Sequence, residues 1–172
     1  LWINKQRVNL VQQRTKEEIR RRLLSRPFSM DQEDTWAVAP DPGNETSGEL
    51  SQETQENTLN ALNFIRYVAG LRENYNNDYL KTYTQAGAAL LSAVGSDPVH
   101  EPEQPSGMSD QFYEMAIEGT RYSSLYQGPG NLASTVINVW MGSQDTSADK
   151  WITNRSRCLR NDNYSSVAFG RA

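Results

Sequence analysis

At 172 residues the chain is long enough for one domain to bury roughly two-thirds of the surface its unfolded form exposes, so folding requires neither a metal nor a disulfide. It is 37% hydrophobic and 22% charged with a mean hydropathy of −0.73, the balance of a globular core joined by long polar connections. With 21 acidic against 17 basic side chains the net charge is −4, which disfavours nucleic acid and anionic lipid, while one cysteine, Cys158, and one histidine, His100, exclude an internal disulfide and a zinc finger.

No apolar run approaches the roughly 18 residues of a membrane span, and no signal peptide is present. With Leu1 first, a mature or truncated form is expected. Residues 1–27 read as helix in one or two pieces: Thr15 and Glu18 have capping-box spacing, Ile19, Leu23 and Leu24 make a narrow apolar stripe, and Pro27 ends it. Arg20, Arg21 and Arg22 are expected on a solvated face, since Glu17 and Glu18 beside them weaken an anionic-surface role. Residues 28–50, rich in Ser, Asp, Pro, Gly and Thr, should form an ordered surface loop or linker pinned to the core by Trp36. A core helix follows from about Ser51, where Ala61, Leu62, Ile65, Val68 and Ala69 fall on one face and Gly70 is the stop. A third begins near Asp78. Leu80, Tyr83, Gly87, Leu90, Leu91 and Val94 recur at three- and four-residue steps, Ala86, Ala88 and Ala89 permit close approach, and Gly95 and Pro98 terminate it.

His100 comes next, beside Glu101 and Glu103 on a stretch that Pro102 and Pro105 keep extended. Any imidazole chemistry must happen there. Ser109 then offers an N-cap to a short helix with Phe112, Met115, Ala116 and Gly119 on one face, and residues 128–131 form a turn. The run from Ser134 to Trp140 is ambiguous: its β-branched residues favour a strand, the spacing of Val136, Val139 and Trp140 a helix. Residues 142–149 read as a polar loop, and 151–153 and 166–170 as strands joined through 158–165. Three helices ahead of two strands make the class α+β. Sequons at Asn44, Asn154 and Asn163 matter only in a eukaryotic source.

Several of these pieces carry a resemblance. Leu62-Asn-Phe-Ile-Arg66 resembles the Leu-Asn-x-x-Arg of the CAP superfamily, the SCP-like extracellular domain, in its bacterial form, and Tyr83-Thr-Gln-Ala86 with Ala89 resembles its Ala-Gln-x-x-Ala. His100-Glu-Pro stands at the family's first histidine position, followed by Met108-Ser as in bacterial members. Arg157-Cys-Leu-Arg-Asn161 and Val167-Ala-Phe-Gly170 are similar to Arg-Trp-Leu-Leu-Asn-Pro and Val-Gly-Phe-Gly. The resemblance covers about Leu50 to Gly170 and implies a three-layer α/β/α sandwich with a small antiparallel sheet, a helix over residues 134–141, export to the cell surface or beyond, and an open cleft. In many members that cleft holds two histidines and two acidic residues that bind zinc or another divalent ion. Here, by the same matching, only His100 remains as a metal ligand, with Ser123, Ser143 and Arg155 at the other positions. Arginine stays protonated and a catalytic zinc needs three protein ligands, so no cofactor is expected and a divalent cation is disfavoured. The matching also brings Tyr122, Tyr126 and Gln127 to the cleft, as floor for a sugar, peptide or lipid headgroup or as ordinary rim packing.

Each of these residues has a plainer use. His100 could serve only to bond backbone and fix its loop, and Arg155 could pair with Glu118 or bind an anion. Ser123 or Ser124 with His100 lacks a Gly-x-Ser-x-Gly elbow, and Cys158 with His100 matches a packing position. The resulting expectation is an N-terminal helical arm and ordered loop over 1–50 and a CAP-like domain over 51–172 that is secreted or at the cell surface. It binds a small ligand, lipid, glycan or peptide without catalysis. A metal-dependent hydrolase and a structural or interaction module of the cell envelope are the competing classes.

Overall fold

The computed structural model describes residues 13–142, 154–160 and 165–172. Helices α1 (Lys16–Ser25), α2 (Gln52–Val68), α3 (Asp78–Val94) and α4 (Asp110–Arg121) are joined by short strands and loops, with a brief α5 (Leu132–Ser134) running into a π-helical stretch, Thr135–Trp140. A further helical turn, α6, covers 154–158. The expected mixture of helices and small sheets is present. Among the described residues no helix is long and apolar enough to cross a membrane.

The helix ends follow from local chemistry. Thr15 accepts from the Glu18 backbone N–H while the Glu18 carboxylate accepts from the Thr15 backbone N–H, a complete capping box. Ser51, Asn77 and Ser109 cap α2, α3 and α4 through their side-chain oxygens, each accepting from a backbone N–H three residues on. Gly95 ends α3 in the left-handed conformation, φ +67°.

The strands are short and differ from expectation. β1 (Trp36–Val38) and β2 (Glu49–Leu50) form an antiparallel pair inside the segment read as a loop, with an irregular register between Trp36 and Val38. β3 (Tyr75–Asn76) pairs in parallel with β4 (Ser166–Val167), where an antiparallel sheet was expected, and the predicted 166–170 strand is two residues long. The predicted strand at 151–153, the 143–149 part of the polar loop, Ser143, Asn163 and the first twelve residues lie outside the described residues.

Two apolar clusters form the core. One gathers Leu50, Leu62, Leu132, Val136, Cys158 and Phe169, joining α2, α5, the π-helical stretch and the C-terminal segment. The other gathers Ala86, Ala89, Leu90, Phe112, Ala116 and Ile117 where α3 lies on α4. That crossing is close because Gly87 faces Gly119: a Cβ on Gly87 would sit 3.0 Å from the Gly119 carbonyl carbon, and one on Gly119 would collide with the Tyr83 carbonyl.

The buried side of α2 is a correction to the apolar stripe. Ala61 and Leu62 are buried, but Val68 is 43% exposed, and the other buried positions are polar: Thr54, Gln55, Asn57, Thr58, Asn63 and Arg66. Each of these groups has backbone to hold. Asn63 exchanges two bonds with the backbone of Asn74, and Asn57 does the same with Ser29. The solvated face expected for Arg22 also differs, because its side chain is only 10% exposed and pairs with Glu73 at 2.7 Å. Residues 29–36 are bonded to the remainder of the chain through Thr35 to Thr54, Asp34 to Leu132 and Trp36 Nε1 to the Arg171 carbonyl.

Candidate functional site

A cleft of about 990 Å³ is lined by the first cluster through Leu62, Leu132, Val136, Cys158 and Phe169, and by Gly87 and Leu91 of α3 and Gly119 of α4. Leu80, Thr84, Gly87, Ala88 and Leu91 of α3 run along it, with Tyr79, Tyr83 and Ser92 also lining it, while Ala86, Ala89 and Leu90 of the same helix pack against α4. The segment after α4 forms another wall with Tyr122, Ser123, Ser124, Tyr126 and Gln127. Four of the residues expected at the cleft, Tyr122, Ser123, Tyr126 and Gln127, are therefore among those that line it.

His100 and Arg155 are not. His100 is exposed and clasps the last turn of α4, its Nδ1–H donating to the Thr120 carbonyl at 2.8 Å while the Thr120 hydroxyl donates back to the His100 carbonyl at 2.6 Å. The carbonyl can only accept, which fixes the proton on Nδ1. This is the loop-fixing arrangement. His100→Ala is expected to lower stability by about 1 kcal/mol, the worth of one partly exposed hydrogen bond, with ligand binding at the cleft unchanged. Urea unfolding and a titration check both halves.

Arg155 donates to the Met141 carbonyl at 2.6 Å, and Glu118 is taken by Arg121 at 2.7 Å, so the expected Arg155–Glu118 pair does not form. Arg155 instead ties α6 to the end of the π-helical stretch. The Ser123 hydroxyl donates to the Gly119 carbonyl, and the Arg157 guanidinium donates to the Ser123 carbonyl, which fastens α6 to the wall after α4. Among the described residues His100 bonds Thr120 and neither a serine nor Cys158, so no serine–histidine or cysteine–histidine pair is assembled. Cys158 is buried, and burial pushes its thiol up to about 11 despite the Arg66 charge, as befits a packing residue.

No family model, curated protein or solved structure matches the chain. The site must be weighed on its own geometry. Among the described residues no three His, Cys, Asp or Glu side chains come close enough together to hold a metal ion. The Nδ1–H bond leaves His100 Nε2 open, but Ser123 spends its hydroxyl on the Gly119 carbonyl and Arg155 stays protonated, so the described residues at the expected positions do not supply the three protein ligands of a zinc centre of the family type.

The periodicity of α3 hides other site residues. Tyr83 reads as a member of its apolar stripe, yet its hydroxyl lies 2.9 Å from that of Tyr79 and the rings are 4.9 Å apart, at the cleft wall. The Tyr79 hydrogen bond raises the Tyr83 pKa, with the Tyr79 and Glu118 charges acting in the same direction, which places the Glu118 carboxylate near this pair. Trp140 and Asn74 also line the cleft, and each has a buried polar atom, Nε1 and Oδ1, without a hydrogen-bond partner among the described residues. The available signal in the sequence was two tyrosines four residues apart ahead of an alanine-rich helical run.

Proposed function

We propose that the chain is a non-catalytic ligand-binding domain of the CAP type, secreted or at the cell surface, whose ligand occupies the cleft between α3, the segment after α4 and α6. The observation that carries this reading is the cleft itself: about 990 Å³, with Tyr79 and Tyr122 at 69% and 73% exposure. Small-molecule sites span roughly 300–1,000 Å³, so this one takes an extended ligand rather than a single small ring. Large aromatic side chains left in solvent beside a concave surface mark recognition more often than packing. The CAP assignment rests on the order of motifs and of helices, with α2 and α3 carrying the two helical motifs and β4 the first residue of the Val-Ala-Phe-Gly run. On this reading α2 and α5 form one outer layer, α3 and α4 the other, and the β3–β4 pair belongs to the middle of an α/β/α sandwich.

Ser92 supplies the test. It is exposed, lies on α3 and lines the cleft, so Ser92→Trp fills the space without disturbing the core. Native mass spectrometry of protein purified without chelator is expected to show an organic adduct that Ser92→Trp loses and His100→Ala keeps. An adduct equally present in Ser92→Trp would count against the cleft, and a stoichiometric divalent ion lost with His100→Ala would restore the hydrolase class.

A further inference from the structure

We infer that the ligand of this cleft is a glycan, a linear run of neutral sugar rings stacked on the Tyr79–Tyr83 wall, an inference that rests on the ligand-binding reading above. A pyranose presents two different surfaces to a protein, C–H faces that pack on aromatic rings and an equatorial girdle of hydroxyls that both donate and accept. The cleft offers partners for both.

Tyr79 and Tyr83 give the aromatic component. Their rings are tilted by 54° with centroids 4.9 Å apart, and they share a hydroxyl–hydroxyl hydrogen bond, so the pair is braced before any ligand arrives. Neither belongs to the clusters that hold α3 on α4, and Tyr79 is 69% exposed, so the fold does not require its ring. Tyrosine is suited to recognition because a large amphipathic surface is fixed by two side-chain torsions. On the wall after α4, Tyr122 and Tyr126 add two more aromatic side chains at 73% and 38% exposure.

The polar component has both signs. Glu118 lines the cleft half-exposed, with Arg121 bound to its Oε1, a carboxylate able to accept from vicinal hydroxyls. The exposed Tyr122, with a hydroxyl that both donates and accepts, lines the wall after α4. A sugar hydroxyl complements either role, whereas an acyl chain serves neither. Ser92, Ser96, Ser124 and Gln127 extend the same hydrogen-bonding character along the walls. Such a lining favours a sugar polymer over a lipid tail.

The experiment is isothermal titration of the full chain with linear tetrasaccharides of glucose, N-acetylglucosamine, mannose and galactose. At least one is expected to saturate. Tyr79→Ala, at an exposed position, should then weaken binding at least about tenfold, while Tyr79→Phe, which keeps the stacking face, should stay within about threefold, and Glu118→Gln should fall between them. Saturation by none of the four, or unchanged affinity in Tyr79→Ala, would overturn the glycan. If sodium laurate or a peptide binds instead and Ser92→Trp abolishes that binding, the glycan fails while the cleft stands. If Ser92→Trp affects no ligand, both fail.

Discussion

Arg66→Leu is expected to destabilise the protein by about 3 kcal/mol or more, which for a chain of this size moves the thermal midpoint down by roughly 6–12 °C. Leucine is shorter than arginine, so some packing is lost as well, but the larger part of the loss comes from hydrogen bonding. Arg66 is 3% exposed and sits at the end of α2 with its guanidinium directed at three carbonyls: Nε to Arg72 at 2.8 Å, and Nη1 to Cys158 at 2.8 Å and Arg160 at 3.0 Å. Two of these carbonyls lie more than ninety residues further along the chain. Leucine leaves all three without that donor in a place that solvent scarcely reaches, and a buried acceptor stripped of its partner costs about 1–3 kcal/mol. Arg66→Lys distinguishes this from a simple packing defect. An ammonium keeps the charge but lacks the planar fork, so it should recover part of the loss and not all of it. Urea unfolding of the three proteins gives the comparison. A loss below 1 kcal/mol in Arg66→Leu would mean that the carbonyls find other partners and that α2 does not organise the C-terminal segment.

What the sequence made legible was mainly what is decided within a few residues. Thr15 with Glu18, Ser109 before α4 and Gly95 after α3 are fixed by the geometry of a single helical turn, and each sits where local chemistry puts it. The buried face of α2 was not legible from hydrophobicity because polar staples occupy much of it. Asn63 and Arg66 are buried for the sake of Asn74, Cys158 and Arg160, partners that no local window contains. The same two residues stand in the Leu62–Arg66 motif that carried the family resemblance. Gln85 in the second motif behaves likewise, donating to the Ser47 carbonyl and accepting from the Arg171 N–H. Motif residues here act as ties between distant backbone segments, so their identity was readable and their action was not. β1 and β2 were missed because strands of three and two residues leave no alternation to detect.

At the site, the residues after α4 were placed by matching, and Tyr122, Ser123, Tyr126 and Gln127 do line the cleft. His100 drew attention as the one imidazole, but a side chain's rarity does not say where it points, and its Nδ1 bonds the end of α4. Tyr79 and Tyr83 escaped notice because spacing of four along a helix cannot separate a core face from a cleft face. Only the position of α4, held against α3 across Gly87 and Gly119, decides which side is left open.

Asp34→Ala should also cost about 3 kcal/mol, and it probes how firmly the N-terminal segment is built in. The Asp34 side chain is 2% exposed, and its Oδ2 accepts from the Leu132 backbone N–H at 2.8 Å and from Arg171 Nη1 at 2.5 Å. One carboxylate thus joins the loop before β1, the first turn of α5 and the C-terminal segment. Removing it strands the Leu132 N–H, a donor that the start of a helix cannot pair internally, and it frees a guanidinium that is one-third exposed and can recover some hydration. Removing Arg171 instead leaves a carboxylate in a nearly dry site, so Arg171→Ala should cost at least as much although the arginine is the more exposed partner. Because the two share one contact, the double variant should lose less than the sum by about 2 kcal/mol. A coupling below 0.5 kcal/mol would show that the pair contributes little across this junction. If residues 13–50 were a docked arm, Asp34→Ala would release them in a separate early transition. The bonds from Ser29, Thr35 and Gln32 to Asn57, Thr54 and Asn131 instead predict one cooperative unfolding step, shifted as a whole and seen at the same denaturant concentration by tryptophan fluorescence and circular dichroism.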